Sequence, residues 1–339
     1  VSTGGVSNNK QFVVTVSKLL PVVGTTWTTF RTEDHYLGYD DIRGDMYAKL
    51  PWKFVAYGNG IFVLITDYEG DSWSEHYVSS NGTSWTFRNT WLNATTRQSV
   101  CFGKGGSVPN GLFVMTCKYS SGAKNLTSAN DNWTLNTITV ATTSGGNYTN
   151  PNWSYSKPSC YGNGLFVAIY NDIIFRTSLN GVAWAERTVP TGDWRAICWS
   201  EEKKLFVAVS YDGKIITSPN GTTWTSRTSP ANNRWVSVCY GGGLFVVVSS
   251  NGTNRVMTSP DGITWTLRAS ADDSKGWTAI CYGNNTFLAV ASGAAMGSSD
   301  GINWSMRNVG FTGAMYSICY SPELNKFVAG GNGFIATTS

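Results

Sequence analysis

Trp235-Val-Ser-Val-Cys-Tyr-Gly241, Leu244-Phe-Val-Val-Val248 and Thr258-Ser-Pro-Asp-Gly-Ile-Thr-Trp-Thr-Leu-Arg268 make up a phrase that the chain repeats. The next copy reads Trp277-Thr-Ala-Ile-Cys-Tyr-Gly283, Phe287-Leu-Ala-Val290 and Ser298-Ser-Asp-Gly-Ile-Asn-Trp-Ser-Met-Arg307. The tryptophan that closes each copy falls at Trp27, Trp85, Trp133, Trp184, Trp224, Trp265 and Trp304, a period of about 40 residues with insertions in the first half. Short apolar runs cut by Gly, Asn and Asp turns read as four strands per copy. The second strand always carries a Phe: Phe62, Phe113, Phe166, Phe206, Phe245, Phe287 and Phe327.

Seven copies of a four-stranded unit predict an all-β chain folded as a single seven-bladed β-propeller of antiparallel blades. The C-terminus supplies three strands of its last copy, ending at Ser339, which reads as the turn serine of that copy. Gly24-Thr-Thr-Trp27 repeats Gly221-Thr-Thr-Trp224, so residues 24–31 are expected to complete the last blade and close the ring. The domain boundaries are therefore 24–339 for the propeller and 1–23 for an N-terminal arm or extra strand. That arm contains Asn9-Lys-Gln-Phe-Val-Val-Thr-Val16, which resembles a further second strand and is expected to dock on a larger assembly.

Composition agrees and narrows the function. The 339 residues include 37 Gly, 10 Pro and 46 aromatics (15 Trp, 16 Tyr, 15 Phe), with 14% charged residues, which excludes disorder and collagen. A net charge of +4 without Lys/Arg runs gives no nucleic-acid footprint. Apolar segments are far below the ~20 residues of a membrane helix, so no membrane insertion is expected. Val1 to Lys10 do not read as a secretory signal.

The turn Ser-x-(Asp/Asn)-Gly-x-x-Trp, present at Ser79, Ser178, Ser218, Ser259 and Ser298, resembles a shortened Asp-box, the turn of sialidase-like propellers. The whole repeat over residues 24–339 is similar to propellers common in bacteriophage tails and some bacterial surface proteins. That resemblance implies a virion (tail) component made in the host cytoplasm, in which residues 1–23 contact other tail subunits and the propeller contacts a host-surface glycan or protein receptor. An extracellular or cell-surface sialidase-like glycan-binding or glycan-cleaving propeller, and a purely structural virion protein, are the alternatives.

Six of the seven cysteines (Cys101, Cys160, Cys198, Cys239, Cys281 and Cys319) share one place in the innermost strand, where the first copy has Ala56. A small apolar site explains them. Unpaired thiols imply folding in a reducing compartment. The Arg after the Trp of six copies (Arg88, Arg187, Arg227, Arg268, Arg307, and Arg31 after Trp27) recurs with the blade and reads as a brace packing on the Trp, its head meeting backbone or carboxylate.

Catalysis is not expected. The histidines are His35 and His76, and the candidates for a glycosidase centre, Arg97, Arg195, Glu69 and Glu75, fall in no motif. The residues imply no cofactor. Acidic loop residues, Asp67, Glu69 and Asp71 among them, offer oxygens of the kind Ca²⁺ prefers, although solvated loops explain them more simply. Arg43-Gly44-Asp45 and the Asn-x-Thr/Ser sequons carry little weight.

Variable length concentrates in the loops between blades and between second and third strands, where binding usually resides. The non-repeating residues Tyr36, Tyr39, Trp73, Trp91, Tyr148 and Trp153, with Arg97, are the candidate ligand contacts. Trp52, Trp194, Trp235 and Trp277 lie at the expected channel mouth. There they either face a ligand or plug the blade interface.

Overall fold

The computed structural model describes residues 27–31, 52–66, 73–91, 96–119, 122–129, 134–137, 158–310 and 312–338. Among them there is no helix. The 28 strands are β1 (Trp27–Arg31), β2 (Trp52–Gly58), β3 (Ile61–Thr66), β4 (Trp73–Ser79), β5 (Thr86–Trp91), β6 (Thr96–Gly105), β7 (Val108–Tyr119), β8 (Gly122–Ser128), β9 (Thr134–Thr137), β10 (Ser159–Gly162), β11 (Leu165–Ile169), β12 (Ile174–Ser178), β13 (Ala185–Thr188) and β14 (Trp194–Ser200). They continue as β15 (Leu205–Ser210), β16 (Ile215–Ser218), β17 (Thr225–Arg227), β18 (Trp235–Gly241), β19 (Leu244–Ser249), β20 (Val256–Ser259), β21 (Thr266–Arg268), β22 (Trp277–Gly283), β23 (Thr286–Ala291), β24 (Ala294–Ser298), β25 (Ser305–Arg307), β26 (Met315–Ser321), β27 (Lys326–Gly331) and β28 (Phe334–Thr338).

Each consecutive set of four from β2 to β25 forms one antiparallel sheet, and the seventh sheet is β1-β28-β27-β26. The innermost strands β2, β6, β10, β14, β18, β22 and β26 follow one another around the ring, and β26 meets β2. The molecule is thus a closed seven-bladed β-propeller, with β1 completing the blade that β26 begins.

Both faces of a blade pack against neighbours, which explains why the second strands are continuously apolar rather than alternating. In β15, β19 and β23 every residue after the first is buried. The seven repeated Phe rings are at most 3% exposed. The outermost strands β17 and β25 are largely exposed and correspondingly polar.

Turn chemistry behaves as the residues dictate. Asn59 and Gly60 (φ 47° and 77°) and Asn163 and Gly164 (φ 51° and 73°) take the left-handed conformations of a two-residue hairpin. In the Ser-x-Asn-Gly turns the serine Oγ accepts the glycine N–H, as from Gly221 to Ser218 at 2.8 Å. The Asn220 Oδ1 then accepts the N–H groups of Thr222 and Thr223, both at 2.9 Å. Trp224 Nε1 closes the turn on the Gly221 carbonyl at 3.2 Å.

Two details differ from expectation. The turn-serine place of the last blade belongs to Thr338, whose Oγ1 accepts the Phe327 N–H at 2.9 Å, because ladder register sets the position one residue before Ser339. Three of the bracing arginines meet a hydroxyl rather than backbone or carboxylate. Arg187, Arg227 and Arg268 donate Nε to Thr177, Thr217 and Thr258 of the adjacent third strand at 3.1, 2.8 and 3.1 Å.

One inter-blade device was not anticipated. The aromatic after each cysteine position (Tyr57, Phe102, Tyr161, Trp199, Tyr240, Tyr282, Tyr320) packs on the repeated Phe of its own blade, centroids 4.4 to 4.8 Å apart. It also covers a residue of the preceding blade. A Cβ on Gly58, Gly162, Gly241 or Gly283 would fall inside the ring of Phe102, Trp199, Tyr282 or Tyr320. Glycine is required there by close approach.

Candidate functional site

Strand direction divides the ring into two rims. One carries the tight turns and the Ser-x-Asn-Gly turns, nearly the same in every blade. The other carries the starts of the innermost strands, the connections between second and third strands, and the crossings between blades. It therefore holds the segments that do not repeat.

Ladder register brings several predicted residues to this loop rim. Trp52 stands opposite Thr66, Trp73 opposite Trp91, and Arg97 opposite Cys117, so all four candidates occupy strand ends on the same side of the ring. Tyr36, Tyr39, Tyr148 and Trp153 lie outside the described residues, as do Asp67, Glu69 and Asp71. The arm 1–23, His35 and the Arg43-Gly44-Asp45 tripeptide also lie outside them.

The channel-mouth tryptophans take the structural alternative. Trp194, Trp235 and Trp277 are fully buried. Trp194 Nε1 donates to the Pro190 carbonyl at 3.1 Å and Trp235 Nε1 to Ser229 Oγ at 3.2 Å. These rings plug blade interfaces and present nothing to a ligand. His76 is likewise buried.

The residue after that plug is the one released. Innermost strands β2, β14, β18, β22 and β26 shift register immediately after their first paired residue, and β6 after its second, so that the ladder passes over Lys53, Arg195, Val236, Thr278, Tyr316 and Gln98. Such bulges re-aim side chains at barrel rims and next to binding sites. Six bulges in one ring give the channel mouth a set of side chains that the blade repeat does not dictate.

The blades that begin with β14 and β18 concentrate charge there. Arg195 pairs with Asp193 at 2.6 Å, its side chain 9% exposed, and its guanidinium carbon lies 4.9 Å from the Tyr211 ring centroid. Arg234, one residue before β18, lies 4.8 Å from the same ring. Lys214 pairs with Asp212 at 2.7 Å. Burial opposes ionisation of Asp212, but hydrogen bonds from Lys214, Ser210 and the Asp193 N–H outweigh it and hold the carboxyl below its usual range.

Burial favours the neutral form of the ring thiols. Burial pushes the Cys101 and Cys281 thiols up to about 12, and burial, with the neighbouring thiols, raises Cys160 and Cys239 well above normal. Cys101, Cys160, Cys198, Cys239, Cys281 and Cys319 are free. Among the described residues no group of three or more His, Cys, Asp or Glu is placed to hold a metal.

No family model and no curated protein matches the chain. Solved structures match along its length. Virginiamycin B lyase from Staphylococcus aureus is 10% identical with a TM-score of 0.69, covering 93% of this chain and 100% of that one. YCF48 bound to D1 peptide is 16% identical with a TM-score of 0.63, covering 92% and 94%. The WD40 β-propeller domain of Doa1 is 12% identical with a TM-score of 0.62, covering 87% and 94%. At such identities the likeness is one of fold, and the fold is the seven-bladed β-propeller.

Proposed function

We propose that this protein is a non-enzymatic binding module, the receptor-binding or tail-decorating propeller of a phage virion, and that its loop rim contacts a glycan or protein on the host surface. The observation that carries this reading is the asymmetry of the rims. A rigid ring of near-identical turns backs a rim where the non-repeating strand-end residues Trp73, Trp91 and Arg97 lie on the same side as Trp52. Paired aromatics at a rim suit saccharides, whose C–H faces stack on rings while amides and carboxylates fix hydroxyls. The shortened Asp-box turn and the unpaired thiols agree with a tail protein assembled in a reducing host cytoplasm. Residues 1–23 would then attach the propeller to its neighbours in the virion.

The test is adsorption of the purified protein to host cells and to a glycan array. Replacing Trp73, Trp91 and Trp153 by Ala is expected to abolish binding, since aromatic anchors of an interface carry ~1–4 kcal/mol each, with the fold retained by circular dichroism. Undiminished binding by the triple variant would remove the proposed face. Release of monosaccharide by the wild type would replace the binding module with a glycosidase.

A further inference from the structure

We propose that Arg234, set against Tyr211 with Arg195 at the channel mouth, binds an oxyanion, carboxylate or phosphate, borne by the surface saccharide that the loop rim receives. The proposal rests on the receptor reading above and names the chemistry of its ligand.

The first argument is charge balance. Arg195 has Asp193 and Lys214 has Asp212. Arg234 is exposed, and its guanidinium makes no hydrogen bond or ion pair among the described residues. Two guanidiniums held against one ring repel each other, and only one of them carries a counter-charge. An incoming anion supplies the other.

The second argument is geometry. A guanidinium held against an aromatic ring gains cation–π attraction while its hydrogen-bonding edge stays available. That edge is a fixed fork matching two oxygens of a carboxylate or phosphate. Lys lacks this fork.

The third is preorganisation. The Arg234 N–H donates to Asn251 Oδ1 at 2.7 Å. Its carbonyl accepts from Ser249 Oγ at 3.0 Å and from the Ser250 N–H at 3.1 Å. The Tyr211 N–H is held by the Asp193 carbonyl at 2.8 Å. Both residues are thereby anchored at the backbone across two blades, which lowers the ordering cost of binding.

The fold does not ask for either residue. The place of Arg234 is Asp193, Gly276 and Ala314 in neighbouring blades, and that of Tyr211 is Ser250, Ser292 and Asn332.

The experiment is calorimetric titration of the full chain with an oligoglucuronate, a glycerol phosphate oligomer and an uncharged glucose oligomer. We expect an acidic probe to bind and the uncharged one not to, and the probe that binds tells carboxylate from phosphate. Arg234→Gln should weaken binding about tenfold or more, and Arg234→Lys should restore only part of it, both with wild-type circular dichroism. Failure of both acidic probes, equal binding of the uncharged one, or wild-type affinity in Arg234→Gln overturns the site. Cell adsorption measured alongside separates the two proposals: acidic probes bound without adsorption removes the receptor reading alone, and adsorption without probe binding removes this site alone.

Discussion

Thr28 in β1 and Thr337 in β28 stand opposite each other in one antiparallel ladder, so the first and last described strands share a blade. β1 covers the outer edge of β28 and buries Trp27. Without it that edge is an unpaired template for another chain.

The ring closure should therefore be separable from the arm. Removing residues 1–31 is expected to lower the denaturant midpoint and promote self-association, with Trp27→Ala alone costing about 3 kcal/mol. Removing residues 1–18 should leave both properties as in the full chain. Urea titration with size-exclusion chromatography checks this, and loss of folding in the shorter deletion would place the arm inside the ring.

The inter-blade lock makes glycines unequal. Gly241→Ala thrusts a methyl group into the Tyr282 ring and should cost about 2 to 3 kcal/mol. Gly164→Ala meets open space and has only its left-handed backbone, φ 73°, to overcome, about 1 kcal/mol. Unfolding free energies that reverse this order would contradict the lock.

Acid should act through the turn carboxylates. Backbone N–H from Asn303, opposed by burial and helped by the Asn303 side chain, the Ile302 N–H and the Ser298 hydroxyl, holds the Asp300 carboxyl far below its usual range. A depressed pKa contributes stability above the unfolded value, about 3.9, that is lost as pH falls through the folded one. Asp300→Asn imitates the Asn220 turn and should match wild type at pH 7 within about 0.5 kcal/mol. Below about pH 4 the wild type should lose stability relative to the variant, which urea unfolding across pH would show.

Thiol reactivity should be gated by folding. With Cys101 and Cys281 near 12 and the others raised by burial, almost no thiolate exists at pH 8 in the native ring. A disulfide reagent is expected to leave the six ring thiols unmodified in native protein and to titrate them all in guanidinium without reductant. Rapid native labelling would mean that the channel wall opens.

Much of the architecture was legible along the chain because a repeat writes each local requirement seven times. The Phe of β3, β7 or β15, the Asn-Gly hairpins and the Ser-x-Asn-Gly turns depend on near neighbours and on burial, which residue type and period reveal. The match of Gly24-Thr-Thr-Trp27 to the copy at Trp224 even announced the closure. Two things needed the third dimension. A bulge after Trp194, Trp235 or Trp277 leaves no mark on composition, so which of two adjacent residues plugs the interface and which is freed was decided only by pairing register. The meeting of Arg195, Tyr211 and Arg234 was equally hidden, because Arg195 lies in β14, Tyr211 just after β15 and Arg234 just before β18, and only the packing of these two adjacent blades brings their charges to one mouth.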